Sequence, residues 1–280
     1  MKRQQWITAC IGFCLVFLIY VFGRTVTPKK HRSSSADSNP EMVLSIDSIL
    51  THAKEQLSPE QIARINALEN SISRGDVKNQ QLNIYHELAH FWGDSARIFE
   101  PYAWYEAEAA RLENSEKNLT FAAHLFLNNL RVENNPAIKK WKALQARDLF
   151  ERSLKINPDR DSSVIGLGAS YIFGNISDNP MVGILKVKEI ADKDSTNIFA
   201  QMILAQGSVI SGQYEKAISR LETVNRLQPD NLEAILTLAE VFEKKEDKAS
   251  AIIWYKKSLP LIIRADFKAE VNGRIEELQK

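Results

Sequence analysis

His86-Glu87-Leu88-Ala89-His90 is the stretch of this chain whose residue types and spacing could by themselves carry chemistry. Two histidines four apart on a helix share one face and can bind zinc, and the glutamate beside the first can act as general base. Gly93 extends the pattern toward the longer metalloprotease form. A catalytic zinc needs a third protein ligand. In the glycine-extended form it would fall at Ala96; in the form that draws a glutamate from a second helix, the expected spacings hold Ala109 and Ala110, with Glu106 and Glu108 beside them. A zinc metallo-enzyme using His86, Glu87 and His90 is therefore the alternative reading. The preferred one assigns no catalytic residue, no metal ligand and no cofactor, and takes Leu88, Ala89 and Trp92 as the packing residues of a helix with two histidines on one face.

The other motifs carry less. Arg74-Gly75-Asp76 reads as a helix-ending turn, and Asn118-Leu119-Thr120 and Asn175-Ile176-Ser177 are glycosylation sequons only in a eukaryotic secretory protein. There is no phosphate-cradling glycine loop and no Ser/His/Asp set with informative spacing. Cys10 and Cys14, the only cysteines, both lie in the N-terminal apolar run, which excludes a disulfide framework or thiolate metal site in the remainder. A net charge of +1 gives no reason to expect nucleic acid as a partner.

The elements that must hold these residues are set by a pattern written twice between Asn197 and Pro260. Leu204, Ala205, Gly212, Tyr214, Ala217, Leu221, Val224 and Pro229 stand in a fixed order, and 34 positions later come Leu238, Ala239, Glu246, Lys248, Ala251, Tyr255, Ser258 and Ile263. The alanines let two antiparallel helices approach, and the large residues fill the space between one pair and the next. Gly212 stands where the first helix must stop, because glycine enters the left-handed region without steric cost. The second copy lacks both this glycine and the proline.

A period of 34 with these spacings resembles the tetratricopeptide repeat (TPR) family. The resemblance covers about 80–260, close in 197–230 and 231–264 and irregular before. It implies an all-α, right-handed superhelical solenoid of antiparallel helix pairs. Upstream, the expected pairs are Leu82–Trp92 with Pro101–Leu112, Leu119–Val132 with Trp141–Ile156, and Ser162–Phe173 with Met181–Ala191. Ser58-Pro59 marks an earlier helix start, and Asp266 is expected to cap a final helix over 266–279 whose outer face meets water.

Before the solenoid, residues 1–5 are short and basic, and Trp6 to Phe22 carries no charge. Seventeen residues at about 1.5 Å each give roughly 25 Å, the short end of what crosses a bilayer core. No small-residue cleavage site follows, so an uncleaved transmembrane anchor is expected rather than a signal peptide. Lys2 and Arg3 lie on one side, Arg24, Lys29, Lys30 and Arg32 on the other, which leans toward a cytoplasmic soluble domain. Residues 23–41 read as a polar tether and 42–280 as the helical domain.

Carried over residue by residue, the resemblance implies a partner-binding groove at Phe199, Met202, Gln206 and Val209 in one repeat, and at Glu233, Leu236, Glu240 and Glu243 in the next. Three glutamates and several apolar residues would repel an acidic tail and favour a segment with apolar anchors and some Lys or Arg. The expected function is a single-pass, membrane-anchored, non-catalytic scaffold or assembly factor, similar to bacterial membrane-tethered TPR proteins. Its expected partners are proteins, plus the lipid bilayer through residues 6–22.

Overall fold

Local start and stop signals account for much of the helix punctuation. The computed structural model describes residues 44–72, 78–176 and 180–280. The expected span over 6–22, the tether over 23–41, Arg74-Gly75-Asp76 and Ser177 of the second sequon lie outside them. Among the described residues every regular element is helical, and no helix is long and apolar enough to cross a membrane.

In chain order the helices are α1 (Ile46–Lys54), α2 (Pro59–Ile72), α3 (Lys78–His90), α4 (Phe99–Glu113), α5 (Glu116–Leu130), α6 (Pro136–Ile156), α7 (Asp161–Gly174), α8 (Met181–Lys193), α9 (Ile198–Ile210), α10 (Tyr214–Leu227), α11 (Leu232–Lys244), α12 (Lys248–Ser258) and α13 (Ala265–Leu278). They pack as successive pairs, α3 with α4, α5 with α6, α7 with α8, α9 with α10 and α11 with α12. First helices also meet, α5 on α7 and α7 on α9. This is a TPR-like array. Its apolar interior is a chain of clusters, one spanning α1 to α9, one α9 to α11 and one α11 to α13, as expected when each pair buries its faces against its neighbours.

The two closest repeats match down to their caps. Asn197 and Asn231, 34 residues apart, each accept from the backbone N–H three residues on, both at 3.0 Å. Gly212 adopts φ 71°, and Glu246, its counterpart 34 later, adopts φ 63°. A non-glycine residue there costs roughly 1–2 kcal/mol. Glu246→Gly is therefore expected to stabilise the chain by about 1 kcal/mol, less the added freedom of glycine in the unfolded state, read as a raised urea midpoint at unchanged slope.

Three features depart from expectation. The sixth helix starts at Pro136, five residues before Trp141, because Asn135 caps it through Oδ1 to the N–H groups of Ala137 and Ile138. α13 starts at Ala265, and Asp266 lies in its first turn bound to Arg264 instead of capping it. Ser58 does cap α2, in a reciprocal box with Gln61 at 3.3 and 2.9 Å. Finally α3 runs on into a π-helical turn, Phe91–Ala96, that ends with Arg97 in the left-handed region at φ 56°. That turn brings Phe91 and Trp92 into a small core with Leu88, Ala89 and Tyr105.

Candidate functional site: a cleft lined by first helices

The histidine motif resolves into packing and solvent. Leu88, Ala89 and Trp92 are fully buried, whereas Glu87 and His90 are exposed and His86 is half-buried. His90 Nδ1 lies 3.1 Å from Asp94 Oδ2, on the π-helical turn. Among the described residues no three His, Cys, Asp or Glu side chains converge as a metal would require.

A larger cleft lies elsewhere. A space of about 910 Å³ is lined by Asn128, Arg131, Val132 and Lys139 on the α5–α6 side, by Phe173 of α7, by Gln206, Val209 and Ile210 of α9, and by Leu232, Glu233, Leu236, Thr237 and Glu240 of α11. Every helix that contributes, α6 apart, is the first of its pair. That follows from the fold: first helices stack on one another along one face, and their outward positions must line whatever hollow that face forms.

Of the eight residues expected to form the groove, five line this cleft: Gln206, Val209, Glu233, Leu236 and Glu240. The other three do not. Met202 is only 6% exposed, packed among Ala205, Ala217 and Leu238. Phe199 rests its ring 5.7 Å from that of His124 and packs on the large core cluster. Glu243 points to the next surface, where it accepts from Tyr255 at 3.1 Å and from Arg274 of α13. The period placed all eight on first helices, but a helix has one face toward the hollow and others toward its neighbours.

Sequence reasoning missed the α5–α6 side altogether. Val132 is 73% exposed and Ile210 65%, the two most exposed apolar side chains in the cleft. Val132 sits in the irregular connection outside the 34-residue period, and no sequence signal identified it. Ile210 follows the expected Val209 directly and could have been found from the same helix end.

The electrostatics also differ from a row of bare glutamates. Arg131 forms an ion pair with Glu233, which also accepts from the Gln206 amide nitrogen at 2.7 Å. Arg274 neutralises Glu243, holding its carboxyl below the usual range through charge-assisted hydrogen bonding. Although Glu240 reaches solvent, the surrounding wall desolvates it and raises its pKa, against the attraction of Lys244. The expected repulsion of acidic partners by three glutamates is thus reduced to one unpaired carboxylate.

Away from the cleft lining, burial alone lowers the His124 pKa, beside the rings of Phe150 at 5.1 Å and Phe199 at 5.7 Å. The folded protein therefore binds this proton less readily than the unfolded chain. Stability is fully present above the unfolded value of about 6.5 and falls as pH drops from there through the folded value. His124→Leu is expected to flatten that part of the pH–stability curve, read as urea midpoints between pH 7.5 and 5.

No protein-family model matches the chain, and no curated protein sequence does. Among solved structures, a MamA fragment (41-end) from Desulfovibrio magneticus RS-1 is 19% identical over 67% of this chain and 96% of its own, with a TM-score of 0.43. YrrB, described as a TPR protein with an unusual peptide-binding site, is 14% identical over 75% of this chain and 99% of its own, TM-score 0.42. PilW, described as a widely conserved type IV pilus biogenesis factor, is 18% identical over 70% of this chain and 90% of its own, TM-score 0.47.

Proposed function

We propose that the chain is a membrane-anchored, non-catalytic interaction module, a scaffold or assembly factor that holds a segment of a partner protein in the cleft between α5, α9 and α11. The observation that carries this reading is the pairing of Val132 and Ile210, 73% and 65% exposed, across a hollow of about 910 Å³. Exposed apolar side chains on opposite walls of a concavity are where a partner segment gains most from burial, at roughly 25 cal/mol per Å². The TPR-like arrangement supports the same use, with the right-handed superhelix presenting its first helices inward. Residues 6–22 supply the anchor: a charge-free run with Trp6 and Tyr20 near its ends, where amphipathic rings favour the interface.

The test is in-cell cross-linking and pull-down with the full chain, native against Val132→Asp plus Ile210→Asp. Both side chains are exposed, so the variant keeps its native circular dichroism and thermal midpoint. Loss of a captured protein from this folded variant supports the cleft as the binding site. Capture of the same proteins by both chains sinks it.

A further inference from the structure

The two walls of the cleft carry opposite charge. Arg131 and Lys139 stand on the α5–α6 side, Glu233 and Glu240 on α11. They meet in one ion pair, Arg131 with Glu233, 102 residues apart in the chain. In a stacked array each pair contacts its immediate neighbours. This bond instead joins the second pair of the series, α5 and α6, to the fifth, α11 and α12, past the α7–α8 and α9–α10 pairs. The Gln206 amide, from α9, holds Glu233 in place at 2.7 Å. Lys139 and Glu240, by contrast, form no direct ion pair among the described residues. The Gln206 side-chain oxygen Oε1 is buried with no hydrogen-bond partner among the described residues.

We infer that the Arg131–Glu233 pair is a latch across the cleft, and that its occupant is a protein segment of mixed charge. Such a segment carries a carboxylate for the Arg131–Lys139 wall and a Lys or Arg for the Glu233–Glu240 wall, with apolar side chains between. This rests on the cleft being the partner-binding site and adds the rule by which it selects. An occupant that enters between the walls must part Arg131 from Glu233. A wholly acidic segment re-pairs Arg131 but leaves Glu233 without its cation, and a wholly basic one does the reverse. Arg131 and Glu233 are both partly exposed, so an unmatched partner loses only the modest attraction of a surface pair, whereas a segment bearing both charges restores both. Val132 on one wall and Val209, Ile210 and Leu236 on the other supply apolar surface beside the charged groups.

Two measurements on the full chain test this. For the latch, Cys10→Ser and Cys14→Ser remove the native thiols, and spin labels are placed at Val132→Cys and Thr237→Cys. The native background is expected to give a narrow label–label distance that broadens in 1 M NaCl. Glu233→Gln is expected to give the broad distribution at every salt concentration, and the exchange of Arg131→Glu with Glu233→Arg to restore the narrow one. An unchanged distribution in Glu233→Gln overturns the latch.

For the occupant, three fluorescein-labelled peptides share a central Leu-x-x-Leu and differ in flanking charge: one Lys and one Asp, two Lys, or two Asp. The mixed peptide is expected to bind tightest at low salt, by roughly threefold to fivefold over each of the others, the size of an exposed charge pair. Lys139→Glu is expected to shift the preference to the two-Lys peptide and Glu240→Lys to the two-Asp peptide. Equal binding of all three overturns the charge rule and leaves the cleft as a site. Binding of none overturns the cleft itself.

Discussion

Lys142→Met is expected to lower the thermal midpoint by roughly 10 °C. Lys142 is 1% exposed, and its ammonium is bound by Glu100 at 2.7 Å, Glu133 at 2.6 Å and Asn129 at 2.5 Å. It also stands 5.2 Å above the Phe99 ring. One cation thus joins the start of α4, the end of α5, the α5–α6 connection and α6. Methionine fills the volume but leaves two carboxylates facing each other without a cation. Removing one partner of a buried pair costs about 3–5 kcal/mol, and about 2–4 °C per kcal/mol applies at this chain length.

A triple variant, Lys142→Met with Glu100→Gln and Glu133→Gln, is expected to recover much of the loss, since uncharged groups need no counter-ion. If the single variant melts like the native chain, the cluster is not what ties these helices together. The pH dependence gives an independent check. Burial by itself would raise the Glu133 pKa, but hydrogen bonds from Lys142 and the Asn135 N–H and the attraction of the ammonium outweigh it and hold the carboxyl low. A carboxyl depressed on folding contributes stability above its unfolded value, near 4.3, that is lost as pH falls through the folded one. The native chain is expected to lose this contribution below about pH 4, and the triple variant to lack it.

Gly183→Val is expected to unfold the α7–α8 pair. A Cβ at Gly183 would sit 2.4 Å from the Gly168 carbonyl oxygen, and one at Gly168 2.7 Å from that of Gly183. The helices therefore touch backbone to backbone, and a rotamer change at Val187, whose Cγ2 lies 2.5 Å from a Cβ at Gly168, cannot make room because main chain also stands in the way on each side. Overpacking costs about 1–3 kcal/mol for alanine and more for valine, whose branches find the same wall. Hydrogen exchange is the suitable readout: protection is expected to be lost from α7 and α8 before α12 and α13, since a stacked array loses stability locally. Gly273→Ala is the control, on an exposed position of α13 with nothing within 4 Å of an added Cβ. It is expected to raise stability by about 0.5–1 kcal/mol through helix propensity. Equal effects at Gly183 and Gly273 would remove the close-approach argument.

These sites show where sequence reading carried and where it stopped. The helix that carries Gly168 was legible, as the expected Ser162–Phe173 element of a repeat pair. Its partner Gly183 was not, because it lies beyond the irregular 175–180 connection, where the 34-residue period gives no register. Lys142 carried no signal at all. A lysine on a helix normally reads as solvated, and only the convergence of Glu100, Asn129 and Glu133 from three other segments makes its burial affordable.

The sequence by itself determined the all-α class, the paired helices and the cap at Ser58, since periodicity and capping depend on residues within one or two turns of each other. It also put candidate groove residues on the first helices of their pairs. Only the tertiary structure decided which of them meet. Val132 and Arg131 reach the cleft from a connection about a hundred residues before Glu233, and Arg131 turns an apparent row of acids into one wall of a mixed-charge cleft. Met202 and Phe199 were drawn into the core instead, because a helix packed on two neighbours has little surface left to offer a third. Periodicity fixes the face a residue occupies; what lies opposite that face is set by the stacking of distant helices.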